Sequence, residues 1–510
     1  MTHSLQPSIL LPILLPMFAG GLLVAAPARW GRAQRVLSTA AALLLLPVAA
    51  CMVGVAATGA ILVDHIGNWP APFGIVLQLD RLGALMLLLT AVLGAAAVVA
   101  AGRGDARLGR HFHALFQFQL MGLNGAFLAG DLFNLFVFFE ILLIASYALL
   151  LHGGGRARIG AGLHYVVLNL AGSAFFLIAI GVLYGLSGTL NMAHMGVRLA
   201  GLAPADVPLA TAAGVMLMLV FALKAALFPM VFWLPKAYAS AAGSAAALFA
   251  IMTKVGIYAI LRCAALVFDA PDGMLGVFLH DWVWWLALAT MAFGALGALA
   301  APNLKSLTCY LVVASVGLLA ASVSMQTAQS WAGALYYLLS TTLCTAALFL
   351  LADALEPAAP AAPAREPVAV VRGSRLAGLL FLVAAVAAIG LPPLSGFIGK
   401  VMVMRSASLP AAAVLWPCIL LSSLALLIAV SRTGTRLLWR LPQDHDPERH
   451  RACQRIAPDG WKLGCCAFLL ACSLALVVGA RPLSQYLADT CAQLFDRGAY
   501  LRAVLPSGGG

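Results

Sequence analysis

Four charged side chains fall inside long apolar stretches of this sequence: Glu140, Lys224, Lys254 and Lys400. A charge at the centre of a bilayer costs roughly 3 kcal/mol on insertion scales, so such residues are kept for what they do. Of the 18 acidic residues, Glu140 alone sits in mid-stretch, in GDLFNLFVFFEILLIASYALL. Asp131 is suited to cap that helix, and the rise of about 1.5 Å per residue then puts Glu140 roughly 13 Å further in. Lys224 and Lys254 stand at comparable depth, about 15 and 14 residues into their own stretches. Desolvation favours a neutral amine, whereas a nearby carboxylate favours the ammonium. A lysine poised between the two takes up and releases protons, which an arginine cannot do. Glu140 is the only buried acid available to set that balance, so it is expected close to Lys224. A static ion pair that only locks packing is the competing reading, but three lysines against one acid leave charges that packing does not require. Ser240, Ser244, Thr253, Ser315, Thr341 and Thr342 supply hydroxyls that can hold water beside these groups.

The elements that must position these residues are interrupted helices. Pro229 follows Lys224 by five residues, and Pro392 and Pro393 precede Lys400 within GLPPLSG. Proline removes a backbone donor and crowds the preceding turn, so both helices are expected to kink or break beside their lysines. Broken helices next to buried charge are what ion carriers place near the membrane midplane. Two of them in corresponding halves point to an inverted repeat.

The composition agrees. Of 510 residues, 63% are apolar and 9% are charged. Continuous apolar runs of about 20 residues recur from end to end, which predicts an all-α polytopic membrane protein and excludes a β-barrel. Fourteen spans are expected, with spans 4–8 and 9–13 as two inverted five-helix repeats. Residues 1–111 would hold spans one to three, 112–267 the first repeat and 281–432 the second. An Ala/Pro-rich linker would occupy 355–367, and 433–510 would hold a loop, the last span and an interfacial C-terminal helix. Most of the 30 basic residues fall in loops after odd-numbered spans, as with Arg29, Arg156, Lys236, Lys305, Arg436 and Arg451. The positive-inside rule then puts both termini outside the cytoplasm. The net charge of +12 thus reflects loop asymmetry and does not point to nucleic acid. Cysteine clusters and Gly-rich fingerprints are missing from the sequence, so no metal, iron–sulfur or nucleotide cofactor is expected.

The glutamate in span five, LKAALFP followed by FWLP, SAAALFAIMTKVGIYAILR and GLPPLSGFIGK together resemble one family. It comprises the antiporter-like, proton-translocating subunits of respiratory complex I and of multisubunit Mrp-type cation/proton antiporters. Within it the D-type subunits of the Mrp antiporters match most closely. The resemblance covers nearly the whole chain. It implies that Glu140 and Lys224 form the charged pair of a first half-channel, that Lys254 relays protons to the centre, and that Lys400 serves a second half-channel. Lys305 would be an additional relay position. It further implies a bacterial inner-membrane location and partner subunits that complete a monovalent cation/proton antiporter, with no enzyme activity in this chain. A proton-pumping subunit of an NADH–quinone oxidoreductase or membrane-bound hydrogenase is the alternative. One departure is Lys236, which follows WLP where complex I relatives often carry an acid.

Overall fold

The computed structural model describes residues 9–69, 72, 74–102, 104–268, 275–355, 374–439 and 459–505. The expected linker, apart from Leu355, lies outside them. Each expected span meets helical structure. In chain order the first are α1 (Leu11–Ala25), α2 (Gly31–Ala56), α3 (Arg81–Ala101), α4 (Phe112–Leu128), α5 (Leu132–Leu151) and α6 (Arg156–Ser187). A short α7 (Met192–Ala200) leads to α8 (Val207–Ala225) and α9 (Trp233–Ser240), the two pieces of span seven. Span eight is likewise split, into α10 (Gly243–Phe249) and α11 (Met252–Leu266). Then come α12 (Trp284–Ala300), α13 (Leu304–Ser324), α14 (Ala328–Leu355), the split pair α15 (Arg375–Ile389) and α16 (Ser395–Ser406), and α17 (Leu409–Gly434). The chain closes with α18 (Gly460–Val478), α19 (Ala480–Phe495) and α20 (Arg497–Val504). Among the described residues, 11 helices are long and apolar enough to cross a membrane.

Two five-helix units repeat the same neighbour relations. First packs on second (α4 on α5, α12 on α13), second on third (α5 on α6, α13 on α14), and third on the broken helix (α6 on α8 and α9, α14 on α15 and α16). The first helix also meets the fifth in both units, α4 on α11 and α12 on α17. Five crossings per unit would start the second from the opposite membrane face, as the expected inverted repeat requires. The centre of the molecule is closely packed. The most apolar stretch of Gly243–Leu266 is 100% buried and that of α14 94%, against 39% for α6 and 33% for α17, which present leucine, valine and isoleucine outward.

Among the described residues, a small hairpin between α2 and α3 is the one element that an all-helical reading leaves out. Strand β1 (Leu62–His65) pairs antiparallel with β2 (Val76–Leu79), Leu62 opposite Leu79 and His65 opposite Val76. Its apolar runs are too short to announce themselves. β2 is wholly buried, and its strand pairing satisfies backbone groups that would otherwise be unpaired. The C-terminal stretch, 483–505, where an interfacial helix is expected, falls on α19 and α20. The buried Leu487, Thr490, Cys491 and Leu494 of α19 share one face, which lies on α14, α11 and α3. Arg81 pairs with Asp489 at 3.0 Å, and the Tyr486 hydroxyl donates to the Arg81 carbonyl at 3.0 Å.

Candidate functional site

Lys224 lies in the last turn of α8, just before the chain leaves the helix through Ala226 at a left-handed φ of 62°. The break frees backbone groups that need partners in a membrane interior. The Trp233 indole donates to the Leu223 carbonyl at 3.1 Å, and Phe228 N–H donates to Thr290 Oγ1 at 2.8 Å. Lys224 is 4% exposed, and its Nζ donates to the Asn169 carbonyl at 3.1 Å and to Ser173 Oγ at 3.2 Å. Asn169 and Ser173 are four residues apart on α6, hence on one face. The Ser173 hydroxyl in turn donates to Glu140 Oε1 from α5. Among the described residues no ion pair joins Glu140 to Lys224 directly; Ser173 bridges them.

Lys254, on α11, is 0% exposed, with Ser315 Oγ of α13 at 3.5 Å. The neighbouring Thr253 hydroxyl is buried without a partner. Two residues on, a Cβ added to Gly256 would lie 2.6 Å from Ala225 N, so the backbones of α8 and α11 touch. The helices that carry Lys224 and Lys254 are therefore packed as one block. Lys400, on α16, is reached through the second break. There α15 ends at Gly390, whose φ of 79° suits glycine, and a Cβ at that position would lie 2.7 Å from Lys400 Cδ. Lys400 Nζ donates to the Ile389 carbonyl at 2.6 Å and to Ser423 Oγ of α17 at 2.7 Å.

Not every sequence-derived residue joins this layer. Lys305 pairs with Asp353 at 3.1 Å, and Asp353 also holds Lys462, which reaches Asp105 at 3.3 Å. Asp105 accepts from Ser244 N–H at 3.0 Å and from its hydroxyl at 2.6 Å, capping the start of α10. Ser244 thus serves a second network, and Thr341 and Thr342 are not among the partners of the lysines. Sequence reasoning missed Ser173 and the carbonyls of Asn169 and Ile389. It also missed a buried pair at the other end of α11. Arg262 forks onto Asp80, with Nη2 to Oδ1 at 2.8 Å, and donates to the Tyr258 hydroxyl at 2.9 Å. Asp80 stands at a helix start, so only its register against Arg262, 182 positions on, could have marked it.

Buried lysines and one acid, held by broken helices in a repeated five-helix unit, define the class of antiporter-like membrane subunits. Residues 129–429 match the family described as NADH:quinone oxidoreductase/Mrp antiporter, transmembrane, and the chain belongs to that family. It is 40% identical over 504 residues to the D-type subunit of a probable K(+)/H(+) antiporter of Rhizobium meliloti (strain 1021), covering 92% of this chain and 93% of that one. It is also 35% identical over 500 residues to the D-type subunit of the Na(+)/H(+) antiporter of Bacillus subtilis (strain 168), covering 98% and 99%. A chain of the Mrp complex from Dietzia sp. DQ12-45-1b superposes with a TM-score of 0.86 at 27% identity, covering 99% of this chain and 100% of that one. A chain of respiratory complex I from Thermus thermophilus shares the fold, with a TM-score of 0.75 at 24% identity over 96% and 99%.

Proposed function

We propose that this chain is the proton-translocating subunit of a hetero-oligomeric monovalent cation/proton antiporter in a bacterial inner membrane, with both termini extracytoplasmic. It performs no covalent chemistry; its substrate is the proton, and the complete exchanger needs partner subunits. The observation that carries the reading is the bridge from Glu140 through Ser173 to Lys224, buried at the end of a helix that breaks two residues later. While the bridge holds, the carboxylate stabilises the ammonium. When α8 shifts at its break and the bridge opens, desolvation favours the amine and the proton leaves. Lys254, packed in one block with Lys224, receives it toward the centre, and Lys400 hands it on in the second half. The family relationship and the two antiporter relatives support this assignment. Reconstitution of the purified complex in proteoliposomes tests it. Glu140→Gln keeps the shape and removes the charge, so the complex is expected to assemble and to lose cation-driven proton release. Near-normal exchange by Glu140→Gln would falsify the relay.

A further inference from the structure

A groove of about 640 Å³ opens between the start of α6, the short helix α9 and the turn that joins α12 to α13. It lies outside the buried relay. Arg156, His164 and Lys236 line it, together with Ser240, Ser306 and Tyr310, and no acidic residue does. All three basic side chains are exposed, so their charge is not spent on a buried partner. The wall is fixed, because Arg158, in the first turn of α6, donates from Nε to the Ser240 carbonyl at 3.1 Å and ties α6 to the end of α9. Beyond the groove the surface turns apolar. Ile159, Leu163 and Val167 run outward along α6, Phe232 stands at the start of α9, and Leu296 stands on α12, all of them exposed.

We propose that this groove binds the phosphate headgroup of an anionic phospholipid, with the acyl chains lying along the outward face of α6. Basic pockets between membrane helices on the cytoplasmic side are suited to such headgroups. The positive-inside asymmetry of the sequence puts Arg156 and Lys236 on that side. The guanidinium of Arg156 offers a fork to phosphate oxygens, Lys236 a point charge, and Ser306 and Tyr310 neutral donors. A free phosphate would satisfy the basic residues alone, but the adjoining exposed aliphatic strip gives a lipid a second, apolar hold. The site adjoins α9, the piece that follows the break after Lys224, so a bound lipid pins one side of that break.

The test uses the assembled complex. Wild type and the double variant Arg156→Ala, Lys236→Ala are purified from the same membranes, and retained phospholipid is quantified by mass spectrometry. Thermal unfolding is then followed against short-chain phosphatidylglycerol, phosphatidylcholine or inorganic phosphate. Each basic residue near an anionic lipid surface strengthens binding about fivefold, so the double variant should need about 30-fold more phosphatidylglycerol for the same stabilisation. The variant is also expected to retain less anionic lipid. Arg156→Lys with Lys236→Arg, which keeps both charges, should bind nearly as well and rules out misfolding as the cause. The proposal is overturned if the alanine variant responds like wild type. Equal stabilisation by inorganic phosphate or phosphatidylcholine overturns it too, as does a partner protein cross-linking efficiently from position 164 in place of lipid.

Discussion

Replacing Ser173 with alanine isolates the bridge from the charges that it joins. The hydroxyl makes two contacts with ionisable groups, accepting from Lys224 Nζ at 3.2 Å and donating to Glu140 Oε1. A hydrogen bond to a charged group is worth about 1.5–3 kcal/mol net. Loss of one such bond from the transfer path corresponds to a slowing of about tenfold to about 150-fold. Solvent does not restore it, because removing one oxygen vacates less than a water's share of about 30 Å³ in the liquid. Ser173→Ala should therefore assemble normally and exchange protons one to two orders of magnitude more slowly. The assay is dequenching of a pH-sensitive dye in proteoliposomes after a cation pulse. Ser173→Thr, which retains the hydroxyl, should recover most of the rate. An alanine variant with the wild-type rate, in preparations where Glu140→Gln is inactive, would show that the two charges communicate without Ser173 and that the bridge is incidental.

Three further outcomes follow from the same geometry. Lys254→Arg keeps a charge in the buried centre but cannot release a proton, so transport should stop while the subunit still accumulates in its complex; normal exchange would make Lys254 a structural cation. Lys400→Ala should abolish or sharply weaken exchange without loss of assembly, and full activity would reduce the second unit to scaffold. Asp80→Asn leaves Arg262 buried and unpaired, which should cost about 3–5 kcal/mol of stability. It should be read as a lower melting temperature and poorer accumulation of the complex, with much of both regained when Asp80→Leu is combined with Arg262→Met.

The features legible in the sequence were those that violate a local rule. Glu140, Lys224, Lys254 and Lys400 are charges in apolar runs, and Pro229, Pro392 and Pro393 interrupt helices. Each stands out without knowledge of any partner. What stayed hidden depends on pairing across the fold. Ser173 looks like any small polar residue in a membrane helix, and only the approach of α8 to α6 makes it a bridge. Asp80, Asp105 and Asp353 lie at or near helix ends rather than in mid-span, so nothing in the sequence marked them as partners of Arg262, Lys462 and Lys305. The hairpin β1–β2 was invisible for a different reason. Its strands are four residues each and owe their existence to burial, β2 against α3 and α4 and β1 against α20, rather than to pattern.

The lysine contacts at the two breaks carry a consequence for mutational scanning. Lys224 and Lys400 each donate to a main-chain carbonyl, of Asn169 and of Ile389. A carbonyl is supplied by every amino acid, so no side-chain replacement at either position deletes the acceptor. A saturation scan would then score positions 169 and 389 by their packing alone and report them as tolerant wherever helix geometry survives. Half of what holds each cation would leave no trace in such a map. The ligands themselves would be reached only by altering the backbone, through an ester in place of the peptide bond, which weakens the carbonyl as an acceptor. In this molecule the main chain, in the body of α6 and at the end of α15, is itself a coordinating group, inherited unchanged however far the side chains drift.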